Sequence, residues 1–263
     1  MNIEEFNKFN NFIGYGNSCN PELVFFGLEE GAGQEDFDEN LNYRINNLNT
    51  SCFKDLNEFH AHSEAPSSMR KWYATPGRIE IQRTWTRYCA LMLSIQNGVV
   101  NRENRRDYQE NMLGRLNGET LLIERYPLPR YNHNEWGDQL NVEGLFTGLQ
   151  EYFNYCNNDE IRKNLIMNVL KAEEFCPKAI IVHGANAVRG ILDFFKDEEE
   201  VNIRLEPIPI VGLPLPEKWN YYEWNKLNGN VKIIFMPFIQ GYQGVTIRMD
   251  THLVELGKWI AEG

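Results

Sequence analysis

No apolar run in this chain approaches the roughly 20 residues that a helix needs to cross a bilayer, and none of its cysteines forms a Cys-x-x-Cys pair. The first absence excludes a helical membrane span. The second, with only Cys19, Cys52, Cys89, Cys156 and Cys176 scattered along the chain, speaks against a disulfide framework and against a zinc or iron–sulfur site. Reduced thiols and a cytoplasmic location are the expectation. Residues 1–15 lack a basic segment followed by an apolar one, so no secretory signal is expected there. Positive charge is scarce too. Against 37 Asp and Glu stand 26 Lys and Arg, and the net charge of −11 argues against a general nucleic-acid coat protein. Gly31-x-Gly33 has neither a Gly-Lys-Ser/Thr sequence nor a third glycine at dinucleotide spacing, so no nucleotide cofactor is expected. His60 and His62 lack further ligands at metal-site spacing, and no Ser or Cys nucleophile elbow supports acyl transfer.

What is present suits one large α/β domain over residues 1–263, with no internal repeat and no low-complexity linker. Aromatic residues, 13% of the chain, fit stacking surfaces and a well-filled core alike. Arg70, Lys71, Arg78, Arg83 and Arg87 gather in one stretch, and Arg102, Arg105 and Arg106 in another. These are either solvated helix faces or a local basic face on an acidic protein.

Periodicity and breakers predict strands over 22–27, 120–123, 179–182 and 231–236. Helices are predicted over 3–13, 36–47, 78–96, 142–155, 160–174, 186–195 and 251–260, with residues 61–78 as a loop carrying Trp72 and Tyr73. Strands alternating with helices imply a parallel sheet between helical layers, with all four strand ends on one edge.

The most informative stretch is 21–33, Pro-Glu-Leu-Val-Phe-Phe-Gly-Leu-Glu-Glu-Gly-Ala-Gly. Its apolar run stops at Gly27, two acids follow, and Gly31 and Gly33 permit a sharp turn. Carboxylates at the carboxyl end of a strand stand where ligands bind in α/β proteins. Further strand ends read Leu121-Leu122-Ile123-Glu124-Arg125-Tyr126-Pro127-Leu128-Pro129-Arg130, then Ala179-Ile180-Ile181-Val182-His183-Gly184-Ala185-Asn186, then Ile233-Ile234-Phe235-Met236-Pro237-Phe238-Ile239-Gln240-Gly241-Tyr242.

Taken in order, these four strand ends resemble the uracil-DNA glycosylase superfamily across nearly the whole chain. Phe26-Gly27-Leu28-Glu29-Glu30-Gly31 is similar to that family's water-activating loop, and Glu124 stands at the place of its base-reading Asn. The resemblance implies a three-layer α/β/α fold about a central four-stranded, mainly parallel sheet. It also implies a monomeric DNA glycosylase that flips a nucleotide, hydrolyses its N-glycosidic bond and leaves an abasic site, with no metal and no cofactor.

The departures from the pattern bear on the substrate. Glu29 replaces the catalytic Asp or Asn and Glu30 the usual Pro; either acid can orient a water or stabilise a sugar cation. The structural alternative is that both cap the next helix. An ionised Glu124 only accepts hydrogen bonds, which suits the amino group of a cytosine derivative and repels uracil's carbonyls. An ion pair with Arg125 or Arg130 is its structural alternative. Met236-Pro237-Phe238 stands in place of His-Pro-Ser, which moves support of the departing base to Gln240 or His183. Trp72 and Tyr73 are candidate stacking partners of the base, and Tyr242 a candidate for filling the gap it leaves. Arg70, Lys71 and Arg248 are candidate phosphate contacts.

A modified, cytosine-derived base in phage DNA is the leading expected substrate, because the superfamily includes an antiphage glycosylase that removes glucosylated hydroxymethylcytosine. Repair of uracil or damaged bases, a catalytically inactive relative that binds DNA or a protein partner, and an unrelated α/β hydrolase of small nucleosides are the alternatives.

Overall fold

Leu23, Phe25, Leu122, Ile181 and Ile234 pack on one side of a β-sheet, while Val24, Phe26, Leu121, Ile180 and Ile233 pack on the other. This two-residue alternation divides the interior into two cores. A computed structural model describes residues 1–48, 51–73, 79–132, 134–184, 191–192, 206–209, 219–226, 229–236 and 249–262. The elements in chain order are α1 (Ile3–Asn11), β1 (Gly14–Gly16), β2 (Leu23–Gly27), α2 (Phe37–Asn47), β3 (Phe53–Lys54) and α3 (Leu56–Ala61). Next come α4 (Ser67–Arg70), α5 (Arg83–Ile95), α6 (Arg102–Asn111), β4 (Thr120–Glu124), α7 (Leu149–Asn158) and α8 (Glu160–Lys171). The chain then runs through β5 (Ala179–His183), β6 (Glu206–Pro207), β7 (Asn220–Lys226), β8 (Gly229–Met236) and α9 (Met249–Glu262).

The architecture is α/β, with a mixed eight-stranded sheet in the order β3-β1-β4-β2-β5-β8-β7-β6. The expected sheet of four strands is therefore too small. Parallel pairing does join β4, β2, β5 and β8 at the centre. The missed strands flank that centre: β1 runs antiparallel to β4, β7 antiparallel to β8, and β6 antiparallel to β7. Helices α5 and α9 cover the first core, and α8 closes the second through Ile166, Met167 and Leu170.

Why the small strands escaped notice is plain from their length. β3 and β6 have two residues each and β1 is Gly-Tyr-Gly, too short for any period to register. β7 was legible, since Tyr222 and Trp224 point inward between more open neighbours and Asn228-Gly229 is a hairpin signature in the sequence.

Helix boundaries moved for local reasons. α5 starts at Arg83 because the Gln82 side chain accepts from the Trp85 amide at 2.8 Å. Residues 142–146 form a tight turn closed by the Phe146 amide on Val142, with Gly144 at φ 81°, so α7 starts only at Leu149. α6 was missed because it buries little beyond Tyr108 and Gln109. Within 61–78, α4 replaces part of the expected loop. Of the expected helix 186–195 only residues 191–192 are described.

One side chain ties the layers together. Arg162 of α8 donates to the carbonyls of Asn10 (2.9 Å), Phe12 (2.8 Å), Arg125 (2.8 Å) and Glu124 (2.6 Å). Replacing it by Leu strips buried carbonyls of their donors, each costing about 1 kcal/mol or more. Arg162→Leu should therefore lower unfolding stability by about 3 kcal/mol or more in a urea titration, with no change in the slope.

Candidate functional site

The chain passes from β2 to β4 on one side, then crosses to β5 on the other, so the strand order reverses beside β2. Such a switch point opens a crevice at the carboxyl ends of the strands. Past those ends the loops after β2 and β4 stay zipped. Arg125 and Tyr126 donate to the carbonyls of Gly27 (3.1 Å) and Leu28 (2.8 Å), and Arg130 donates to that of Glu30 at 3.1 Å. The zip fixes three acids in one neighbourhood.

Gly27 pairs in register with Glu124, and His183 ends the strand on the other side of β2. By the two-residue period all three face the first core, so Gly27 leaves a notch between Glu124 and His183. The Glu124 carboxyl leans over it: a Cβ on Gly27 would come within 3.0 Å of the Glu124 Cδ. Beneath lies Tyr88 of α5, stacked on Phe25 with centroids 3.9 Å apart and hydrogen-bonded through its hydroxyl to His183 Nε2. Burial depresses the His183 pKa to about 4, so the ring is neutral.

Glu30 turns away from the notch into a buried network. Arg44 of α2 grips its carboxylate with two bonds of 2.8 and 2.7 Å, Tyr15 donates its hydroxyl at 3.0 Å, and His60 Nε2 lies 3.3 Å away. Burial alone would raise its pKa; Arg44 and His60 outweigh that and hold it at about 2. Glu30 is thus a permanently charged structural anchor. Glu29 is gripped the same way by Arg130, at 2.7 and 2.6 Å, with the guanidinium resting 5.0 Å from the Phe153 ring centroid. Neither acid caps a helix, contrary to the structural alternative.

Glu124 is the exception. Arg130 pairs with Glu29 and Arg125 reaches Asn157 at 2.8 Å, so neither makes the ion pair considered for Glu124. Its residue surface is only partly covered, yet Oε2 is sealed from solvent and makes no hydrogen bond. Burial, then the charges of Glu30 and Glu29, push its pKa well above the ordinary carboxylate range, and Arg162 offsets only part of this. This shift favours the neutral acid over the acceptor-only carboxylate expected from sequence. A neutral carboxyl presents one donor and one acceptor.

The other candidates divide. Tyr73 is buried among His60 and Trp85, so it is a core residue and not a free stacking platform. Trp72 is partly open, its ring 4.5 Å from the Lys71 Nζ, and Arg70 and Lys71 are exposed. Gln240, Tyr242 and Arg248 lie outside the described residues. Gly31 and Gly33 have no positive φ; Gly33 is needed instead for close approach, since a Cβ there would meet Ser68 Cβ at 2.7 Å. Among the described residues no group of His, Cys, Asp or Glu has the geometry to hold a metal, and no helix is long and apolar enough to cross a membrane. An open groove of about 750 Å³ lies elsewhere, between Leu145 and the α7–α8 corner.

Arg44, Tyr15, His60 and Tyr88 were missed as site-shaping residues, and Arg130, considered as a partner of Glu124, pairs with Glu29 instead. For Arg44 the signal existed: it shares the apolar stripe of α2 with Phe37 and Leu41, and a cation on such a stripe implies a buried acid.

Two stability effects follow. Glu30 has a folded pKa below its unfolded value of 4.5, so its contribution is present above pH 4.5 and fades as pH falls toward about 2. Urea unfolding from neutral pH down to about pH 3 should show this loss in the wild type, up to about 3 kcal/mol, and a flatter profile in Glu30→Gln. Glu124 has the opposite sign: its raised folded pKa costs stability progressively as pH climbs above 4.5. Glu124→Gln should accordingly be more stable than wild type at neutral pH, the gap in Tm closing below about pH 4.5.

Comparison of the chain with protein-family models, with curated proteins and with solved structures finds no match.

Proposed function

We propose that this protein is a DNA glycosylase that hydrolyses the N-glycosidic bond of a flipped, cytosine-derived base and leaves an abasic site, in defence against phage with modified DNA. The carrying observation is the cluster of acids at the strand ends, where Glu124, its pKa raised by burial, stands beside two carboxylates held bidentately by Arg130 and Arg44. Groups of one chemical type with pKa values driven apart are the mark of acid and base assignments. Ionised Glu29 is suited to stabilise positive charge on the sugar and to orient the attacking water. Neutral Glu124 is suited to the Watson–Crick edge of cytosine, with its O–H directed to N3 and its carbonyl receiving the amino group. The same pair of groups also complements uracil in reverse, so preference for cytosine rests on the absence of the His that the uracil-cleaving pattern carries. Exposed Lys71 and Arg70, beside Trp72, offer phosphate contacts at the rim.

A binding protein without catalysis is the second reading, favoured by the bidentate pairing of both Glu29 and Glu30. Mass spectrometry of small molecules released from phage DNA with modified cytosines, beside uracil-containing DNA, separates the two. The glycosylase should liberate the modified base, with Glu29→Gln slower by about 100-fold or more. Uracil release alone would overturn the substrate assignment, and tight binding of every DNA without release would favour the second reading.

A further inference from the structure

We infer that Glu124 is the proton donor to the departing base, a role distinct from holding its edge and one that rests on the glycosylase reading. Among the described residues, no hydrogen-bond partner reaches Oε2 of this carboxyl. That atom is buried, while the acids around it are each committed to a guanidinium. From the neighbouring elements Glu29 and Glu30 face it after β2, Tyr88 from α5, and Arg162 from α8, whose Nη2 is bonded to the Glu124 carbonyl and not to its carboxyl. His183 is occupied with the Tyr88 hydroxyl. Gly27, having no side chain, makes room for this carboxyl, since a Cβ there would meet Glu124 Cδ at 3.0 Å, and Glu124 as a residue stays partly exposed.

Cytosine makes this donor valuable. Its anion bears charge on one carbonyl and the ring nitrogens, where uracil's spreads over two carbonyls, so a cytosine-type base departs more readily when protonated. In the step inferred here the C1′–N1 bond breaks with its electron pair going to the base. The Glu124 proton passes to N3 as it leaves. Water adds hydroxide to C1′, and its remaining proton restores the acid form of Glu124. The sum is one water consumed, one base and one abasic sugar formed. The arrangement matches the acid half of glycoside hydrolysis, in which a buried carboxyl of raised pKa protonates the leaving group beside a charged partner.

Single-turnover release is measured from duplexes containing 5-hydroxymethylcytosine, uracil or 5-fluorouracil, between about pH 5 and pH 9, with wild type and Glu124→Gln. Gln keeps a donor and an acceptor but has no transferable proton. The expected result is a loss of about 100-fold or more on the cytosine substrate, with DNA binding retained. The decline of the wild-type rate with rising pH should vanish in the variant. Any release of 5-fluorouracil, which leaves readily as an anion, should be far less affected than that of hydroxymethylcytosine. Equal rates for variant and wild type, an unchanged pH profile, or the same loss on all cleaved substrates would each overturn the proton-donor role while leaving the glycosylase intact. No release of any base by wild type would sink the glycosylase reading and this step with it. Infrared spectra of the wild type at neutral pH should contain a protonated-carboxyl band that Glu124→Gln lacks; its absence would overturn the inference independently of activity.

Discussion

The pairing of Glu30 with Arg44 is the constraint on which the carboxyl edge depends. Arg44 is buried and Glu30 mostly so, and the Arg44 charge left alone would be strongly destabilising inside the protein. Together, with Tyr15 and His60 supplying further contacts, they join β1, the loop after β2, α2 and α3 at one point. Buried ion pairs are weak sources of net stability but demand one arrangement of their surroundings. Here the arrangement demanded is the path of the loop after β2, and with it the placement of Glu29 and the notch above Gly27.

Electrostatics then distributes roles among acids of identical chemistry. Arginines claim Glu30 and Glu29, and the charge those two carboxylates retain makes ionisation of Glu124 unfavourable. Burial is the larger cause of the raised pKa of the third acid, and the anchoring of the other two adds to it. A protein that keeps such a carboxyl unpaired gives up stability at neutral pH for it, a trade common at sites with work to do.

Much of the sheet's centre could be read in the sequence. Short apolar runs ending at Gly27, Glu124, His183 and Met236 are adjacent in space because buried parallel strands are written as continuous hydrophobic segments. The flanking strands β1, β3 and β6 could not, since pairing partners and not their own residues define elements of two or three positions. At the site, placement of Glu29, Glu30 and Glu124 at strand ends was legible, whereas their protonation states were not. Those depend on Arg44 and Arg130, 14 and 101 positions away along the chain, and on burial that no local pattern encodes. Tyr73 shows the converse: beside exposed Lys71 it read as a surface aromatic, but its ring completes the packing around His60.

Arg162 holds five backbone carbonyls and makes no ion pair among the described residues, so its positive charge reaches across to Glu124 from the opposite layer. The strength of the acid in the crevice is consequently adjustable from a helix that sends no side chain into it. Any partner or substitution that slides α8 by a fraction of a turn would retune proton affinity at the far side of the sheet without touching the cavity itself.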